Sequence, residues 1–370
     1  MKALLTHCLL LAALPTIARS EPANLIEAAG KQFTMGVGID DRIHEMPDDW
    51  PLLKKHFQII TPENCMKPVA IQPTQGSFNF AQADAFVAFA QQNNLEIVGH
   101  CLVWAKDDRT PHWFYLDDAG NPLGREELLK RMKTYIDTVV GRYKGKIAMW
   151  DVVNEALADG NEDLRPSGWT KATGEEFIAK AFEYAHAADP DALLIYNDYN
   201  NELPAKREKM DRLIRSLLEK KVPIHAIGLQ GHYEIDRIPF EQLEKTFEWA
   251  KSLGLQVVIS ELDIDMIPRG IWWADGGKNR EEIAKINPYT EGLPQELLDR
   301  QAEQYAKLFS LFKKHSDNIL RISFWNLHDG QSWLNDFPWK RTNHPLLFDR
   351  DRKEKPAYHA VIKALANPEN

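Results

Sequence analysis

Cysteine is scarce in this sequence. The chain has 370 residues but only three cysteines, Cys8, Cys65 and Cys101. That number is too small for a disulfide-rich scaffold, and two cysteines alone do not form a structural zinc site. Cys65 and Cys101 each follow a predicted strand. They therefore either form one bridge in an oxidising compartment or remain as buried free thiols.

Several catalytic signatures are also missing. The sequence contains no HExxH, no GxSxG and no Walker-type loop, which argues against zinc proteases, serine hydrolases of that type and P-loop enzymes. GVGID, at 36–40, has two glycines and a bulky Ile39 where a dinucleotide-binding turn needs a third glycine. His100 and His232 lack a third ligand at short spacing. We therefore expect no metal and no cofactor.

Apolar runs long enough to span a membrane are absent after the start of the chain. Residues 1–20 combine Lys2, an apolar stretch through Leu14 and small residues near Ser20. This pattern predicts a signal peptide cleaved after Ser20, and hence a secreted or periplasmic protein. The alternative is a short buried N-terminal helix.

Basic residues are fewer than acidic residues. The chain carries 45 Lys and Arg against 54 Asp and Glu, a formal net charge of −9. A mildly acidic surface argues against nucleic acid and anionic membranes as partners and fits a neutral ligand.

Eight apolar segments alternate with amphipathic helical patterns. The predicted strands cover 33–39, 57–61, 95–100, 147–153, 193–196, 226–230, 255–260 and 320–325. Most are apolar on successive residues, as strands of a parallel sheet buried on both faces must be. Without a linker or composition shift, the pattern predicts one α/β domain over 21–370, folded as a (β/α)8 barrel. The alternative is an open doubly wound sheet.

Polar and aromatic side chains recur where the predicted strands end. In a barrel these ends form one rim, where active sites lie. The candidates are Glu63, Asn64, Lys67, His100, Trp104, Asn154, Glu155, the YNDYN segment at 196–200, Gln230, His232, Glu261, Asp263, Trp325 and Trp333. Stability alone does not account for such a collection at one rim.

Glu155 and Glu261 follow the fourth and seventh strands, which lie across the barrel from each other. Two facing carboxyl groups are the components of glycoside hydrolysis, in which one is protonated and the other ionised. The alternative is a salt bridge at the barrel mouth. Eleven tryptophans, three of them at or after rim motifs, favour a sugar ligand, since indole faces stack on sugar rings.

Seven motifs occur in a fixed order: TPENCMKP, GHCLVW, WDVVNEAL, YNDYN, GLQGHY, SELDI and FWNLHDGQSW. Together they closely resemble glycoside hydrolase family 10 over residues 25–366. The resemblance implies a (β/α)8 barrel and a retaining endo-1,4-β-xylanase that acts on xylan and xylo-oligosaccharides, as a monomer without a cofactor. It also implies carboxyl groups roughly 5–5.5 Å apart.

The resemblance also implies a role for each rim residue. Glu155 would be the general acid/base, Glu261 the nucleophile, and Asn154 the partner of the 2-hydroxyl. His232 and Asp263 would orient Glu261 and keep it ionised. Glycone-side hydroxyls would be bound by Glu63, Asn64 and Lys67. The walls around the scissile unit would be His100, Trp104, Gln230, Trp325 and Trp333, with the last two crowding a 5-hydroxymethyl group.

Three segments depart from the family pattern. WHSQTPSW is replaced by WAKDDRTPHW, with Ala105 for a histidine and two added residues, which changes the contacts expected near Glu155. FWG is replaced by FWN, with Asn326. The segment 267–296 is longer than usual, and its Trp272 and Trp273 either form an added leaving-group subsite or pack the loop down.

Two other functions fit the same barrel. One is hydrolysis of β-1,4-glucan or mannan. The other is a carbohydrate-binding barrel that has lost catalysis, suggested by Ala105 and the altered loop, although the presence of both glutamates argues against it.

Overall fold

The computed structural model describes residues 22–366. The predicted signal peptide, residues 1–20, lies outside the described residues. Within that range no helix combines the length and apolar character needed to cross a membrane.

The strands form a parallel barrel that closes on itself. They are β1 (Thr34–Ile39), β2 (Ile59–Pro62), β3 (Glu96–Trp104), β4 (Met149–Asn154), β5 (Leu193–Asp198), β6 (Ala226–Leu229), β7 (His232–Glu234), β8 (Gln256–Asp265) and β9 (Ile319–Trp325). β1 pairs with both β2 and β9, and β6 pairs directly with β8. Closure confirms the predicted (β/α)8 barrel and shows that the open-sheet alternative is wrong.

Helices follow the strands and cover the outside of the barrel. They are α1 (Leu25–Ala29), α2 (Trp50–His56), α3 (Pro68–Ile71), α4 (Ala81–Gln92), α5 (Arg125–Arg142), α6 (Gly168–Thr173), α7 (Glu176–Ala188), α8 (Pro204–Glu219), α9 (Phe240–Ser252), α10 (Arg280–Ile283), α11 (Gln295–Lys314) and α12 (Pro356–Ala366). Each long helix turns one apolar stripe toward the strands, for example Leu308, Phe309 and Phe312 of α11.

The core has two parts, as barrel geometry requires. A large apolar cluster fills the space between strands and helices. A smaller cluster takes one side chain from each of six strands and forms a layer inside the barrel: Ile59, Val98, Met149, Ile195, Ala226 and Val258. This burial on both faces is the reason that the strands read as continuous apolar runs.

The predicted strand boundaries differ from the observed ones mainly at the rim. β3 runs four residues farther than predicted, through the apolar segment 101–104 that follows His100, and β8 runs five residues farther, through Glu261, Asp263 and Asp265. β7 was not predicted. It continues the chain direction of β6 after Gly231, whose φ of 80° breaks the strand, and it pairs His232 with Asp263 of β8.

Two glycines allow site residues to pack against the barrel wall. A Cβ at Gly38 would lie 2.6 Å from the ring of Trp325, and one at Gly228 would lie 2.3 Å from Oδ1 of Asn197. Cys65 and Cys101 are both free and buried. Of the two alternatives that the sequence left open, the structure therefore has the buried free thiols and not the bridge.

Candidate active site

Glu155 directly follows the last residue of β4 and has a left-handed backbone, with φ of 57°. This conformation is uncommon for a residue with a Cβ, and it is typical of functional sites. The Glu155 amide donates to the carbonyl of Asn197 at 2.9 Å. The turn therefore ends the strand and fixes Glu155 against the end of β5.

Two side chains hold the carboxylate of Glu155. Nε2 of Gln230 donates to Oε1 at 3.1 Å, and a guanidinium nitrogen of Arg165 lies 3.4 Å from Oε2. Arg165 in turn donates to the hydroxyl of Tyr199 at 2.8 Å. Both carboxylate oxygens thus have a partner, and the Glu155 residue is only 9% exposed.

Glu261 lies within β8 and faces a buried histidine. Nε2 of His232 is 3.2 Å from Oε2 of Glu261, and Nδ1 of His232 is 2.9 Å from Asp263. Asp263 also accepts a hydrogen bond from the indole of Trp333 at 2.8 Å. The chain Glu261–His232–Asp263 therefore connects one carboxylate to another through an imidazole ring.

Electrostatics favour the ionised form of Glu261. Burial alone would raise the pKa of Glu261, but the hydrogen bond from His232, the charges of His100 and His232, and the hydrogen bond from Asn197 outweigh it. The pKa of Glu261 is therefore lowered from its usual value. Burial alone would lower the pKa of His232, but the charge of Asp263 and hydrogen bonds to Asp263 and Glu261 raise it to about 9.

Asn197 links Glu261 to the end of β4, which carries Asn154 and Glu155. Its Nδ2 donates to Oε1 of Glu261 at 2.8 Å and to Oδ1 of Asn154 at 3.0 Å. Its Oδ1 accepts from the hydroxyl of Ser260 at 2.6 Å. The side chain of Asn197 is fully buried, so this amide sets the spacing between the ends of β4 and β8.

Aromatic rings surround these groups. The ring of His100 lies 6.2 Å from Trp104 and 5.6 Å from Trp325, and His232 lies 6.5 Å from Trp325 and 4.8 Å from Trp333. His100 is oriented by Asp151, whose carboxylate is 2.8 Å from Nδ1. The five predicted wall residues, counting Gln230 beside Glu155, therefore border one pocket.

The candidate glycone-binding residues form a group beside this pocket. Nζ of Lys67 donates to Asn64 at 3.0 Å and lies 5.1 Å from the ring centre of Trp104. Glu63 and Asn64 line a surface pocket with Asp40, Asp41, Arg42 and Gln82. Burial raises the pKa of Glu63, and the charge of Lys67 only partly offsets this effect.

Asn326 connects the glycone group to the aromatic wall. It has a φ of 84°, a region that asparagine adopts more readily than most residues. Its Oδ1 accepts from the amide of Trp333 at 2.9 Å, and its Nδ2 lies 3.5 Å from Glu63. In this FWN segment Asn326 therefore adopts a conformation that glycine also allows, and its side chain lies between two candidate binding residues.

The altered loop after β3 contacts α6. Oδ1 of Asp107 accepts from the amide of Gly168 at 2.8 Å, just beyond Arg165 in the chain. Ala105 is fully buried and its amide donates to the carbonyl of Asn154 at 3.0 Å. The loop thus supports the segment that carries Arg165. It acts on Glu155 indirectly, because the carboxylate of Glu155 is held by Arg165 and Gln230.

All thirteen predicted site residues lie at this rim. Sequence reasoning did not select Asn197, Arg165, Asp151 or Asn326 as site residues. Asn197 lies in the YNDYN segment that the sequence analysis placed at the rim, so its position at the end of a strand could have identified it as a site residue. Asp151 carried no such signal because its partner, His100, lies on another strand, and Arg165 carried none because its contact with Glu155 depends on the conformation of the loop after β4. Among residues 22–366, no group of three or more His, Cys, Asp or Glu side chains is arranged to hold a metal ion.

Comparison with known proteins fixes the family of this site. The model of glycosyl hydrolase family 10 matches residues 24–364. The chain belongs to glycosyl hydrolase family 10. One relative is the endo-1,4-beta-xylanase of Geobacillus stearothermophilus, 40% identical over 343 residues, which are 92% of this chain and 98% of the relative.

Solved structures agree with the family 10 assignment. An endoxylanase of family 10 retrieved from a sugarcane soil metagenome is 38% identical and superposes with a TM-score of 0.85, covering 93% of this chain and 100% of that one. A mutant structure in complex with xylotriose is 33% identical, with a TM-score of 0.83, covering 92% and 99%. The family resemblance seen in the motifs is thereby confirmed.

Proposed function

We propose that this chain is a retaining endo-1,4-β-xylanase that cleaves internal β-1,4-xylosidic bonds of xylan and xylo-oligosaccharides by double displacement. The observation that carries the proposal is the pair of buried glutamates, Glu155 and Glu261, bridged by Asn154 and Asn197 in an aromatic pocket. Relatives named endo-1,4-beta-xylanase and a similar structure with bound xylotriose support the substrate class.

In the first step, ionised Glu261 attacks the anomeric carbon, and Glu155 gives its proton to the departing oxygen. A glycosyl–enzyme ester forms and the glycosidic bond breaks. In the second step, Glu155 takes a proton from water, whose oxygen attacks the same carbon and releases Glu261. The lowered pKa of Glu261 supports its assignment as nucleophile. We expect a carboxyl separation of roughly 5–5.5 Å, as retention requires.

The remaining residues bind and select the sugar. Asn154 would hold the 2-hydroxyl, while Glu63, Asn64 and Lys67 would bind hydroxyls of the glycone. The ring centres of Trp325 and Trp333 lie 6.5 and 4.8 Å from that of His232. These rings would leave little room for a 5-hydroxymethyl group, which favours xylose over glucose.

The experiment compares the wild type with Glu261→Ala, Glu155→Ala and the exposed-site control Glu291→Ala on xylan, xylohexaose and β-1,4-glucan. We expect release of short xylo-oligosaccharides from the wild type and the control, and a loss of at least about 10⁴-fold in Glu261→Ala. A 2-fluoro xyloside should add one glycosyl group to Glu261, visible by peptide mass. Faster turnover of β-1,4-glucan than of xylan would indicate a glucan hydrolase, and binding of xylohexaose without hydrolysis would indicate a carbohydrate-binding barrel that has lost catalysis.

We further propose that the enzyme is exported and monomeric. The basis for export is the pattern of Lys2, the apolar stretch and Ser20 at the start of the chain. The intact mass of protein recovered outside the cytoplasm should correspond to a chain that begins at Glu21. Light scattering after size exclusion should give the mass of one chain.

A further inference from the structure

The segment between β8 and α11 has an apolar cluster of its own. Ile267 and Ile283 of this segment are buried together with Trp339, which follows β9, and Ile271, Trp272 and Tyr289 pack against them. Trp272 stacks on Trp339 with ring centres 5.6 Å apart and planes 16° apart. Packing therefore explains Trp272, and the loop is stabilised without its neighbour.

Trp273 is different because its ring remains in solvent. It is 48% exposed, and the nearby Phe337 is 38% exposed. The ring centre of Trp273 lies 5.9 Å from Phe337, which stacks on Trp333 at 5.1 Å and 21°. Trp333 itself binds Asp263 in the pocket. Three rings therefore form a continuous line from the candidate catalytic residues to the surface.

This line has the chemistry of a sugar-binding surface. Single exposed apolar residues are ordinary, but two adjacent large aromatic rings continuous with a polar pocket indicate a ligand. The faces of a pyranose ring carry C–H groups that pack on aromatic rings, and its equatorial hydroxyls stay in water. The occupant must also be part of a chain that begins in the pocket, because Trp333 connects the two.

We propose that Trp273 and Phe337 form a remote subsite that binds a further xylosyl unit of a substrate chain whose scissile bond lies in the pocket. The proposal rests on the proposed function. It assigns the two tryptophans of the long loop different tasks, since Trp272 packs the loop down and Trp273 contacts substrate. Chains long enough to reach Trp273 gain its contact, and short chains do not.

The first test compares kcat/KM for xylotriose and xylohexaose in the wild type, Trp273→Ala, Trp273→Phe and Ile286→Ala. Ile286 is an exposed apolar residue in the same segment and serves as the control. We expect Trp273→Ala to lower kcat/KM for xylohexaose about three- to tenfold and to change xylotriose by less than about twofold. Trp273→Phe should recover most of the loss. An equal loss on both substrates, or no loss on either, overturns the proposal.

The second test does not require hydrolysis. In a Glu261→Ala background, titration of xylohexaose should show weaker binding when Trp273 is also replaced by alanine, again about three- to tenfold. The affinity for xylotriose should be the same in Glu261→Ala and in the double variant that also carries Trp273→Ala. If the wild type fails to hydrolyse xylan, the proposed function fails, and this titration still decides the subsite. Equal xylohexaose affinity with and without Trp273 rejects it.

Discussion

Asp263 touches two candidate active-site groups without facing the sugar itself. It contacts His232 at 2.9 Å and Trp333 at 2.8 Å, and its side chain is fully buried. The charge of Asp263 is one of the effects that raise the pKa of His232, and His232 in turn favours ionised Glu261. Asp263 is therefore expected to act on catalysis through the histidine.

Replacement of Asp263 by asparagine should move the acid limb of the kcat/KM profile. Without the carboxylate the pKa of His232 falls, so His232 stabilises ionised Glu261 less and Glu261 binds a proton more readily. We expect the acid limb to move upward by about one pH unit. Asp317→Asn, at an exposed site, is the matched control. An unchanged limb in Asp263→Asn would contradict this coupling.

Asn326 combines a left-handed backbone with two side-chain contacts, and two substitutions separate these roles. Asn326→Gly keeps the φ of 84° without strain but removes the contacts to Trp333 and Glu63. We expect a KM for xylohexaose raised about three- to tenfold, and a loss of about 1–3 kcal/mol of stability because the Trp333 amide loses its acceptor. Asn326→Ala should also lose about 1 kcal/mol of stability through its Cβ. Equal KM values in Asn326→Gly and the wild type would show that the Asn326 side chain does not contribute to substrate binding.

At the scale of elements, His56 links α1 and α2 to the end of the chain. Its Nδ1 accepts from the amide of Leu25 at 3.4 Å, and its ring packs against Phe348 and Tyr358. Burial, with a smaller effect of Lys55, lowers the pKa of His56 to about 4. The folded state therefore holds this histidine neutral, whereas the unfolded chain protonates it below about pH 6.5.

The free energy of unfolding should therefore decrease as the pH is lowered from about 6.5 to about 4. In that pH range the unfolded chain binds a proton at His56 that the folded state does not bind. The resulting loss of unfolding free energy reaches about 3 kcal/mol at pH 4. His56→Gln should be less stable at pH 7 and should lose less on acidification. Urea unfolding at pH 7 and pH 5 measures this difference. His359→Gln, at an exposed histidine of α12, should follow the wild type, and a parallel fall in all three proteins would disprove the assignment.

The elements were predictable because each barrel strand is buried on both faces and so reads as an apolar run. The predicted strands ended too early, however: β3 continues past the polar His100, and β8 continues through Glu261 and Asp263 into the site. The pair Glu155 and Glu261 was also predictable from strand order. The role of Asn197 as a bridge was not, since it depends on contacts between distant segments. The position of Arg165 beside Glu155 and the left-handed φ of Glu155 were not predictable either, since they depend on the conformation of the turn and loop after β4.

At the scale of the whole molecule, thiol reactivity reports on both folding and export. Burial raises the pKa of Cys65 and of Cys101, so neither should react with Ellman's reagent in the folded enzyme. In guanidinium, two thiols should react if the chain begins at Glu21, and three if Cys8 is retained. Fewer than two in the unfolded chain would mean that Cys65 or Cys101 had been oxidised.

The backbone at Glu155 has a consequence for engineering. A φ of 57° suits glycine or asparagine better than glutamate. Glu155→Gly should therefore relax the turn after β4 while it removes the candidate proton donor. A directed-evolution campaign that scores only folding or expression would be drawn toward inactive variants at this position. Selection for a more durable enzyme must read out turnover in every round, because here the two properties oppose each other in one residue.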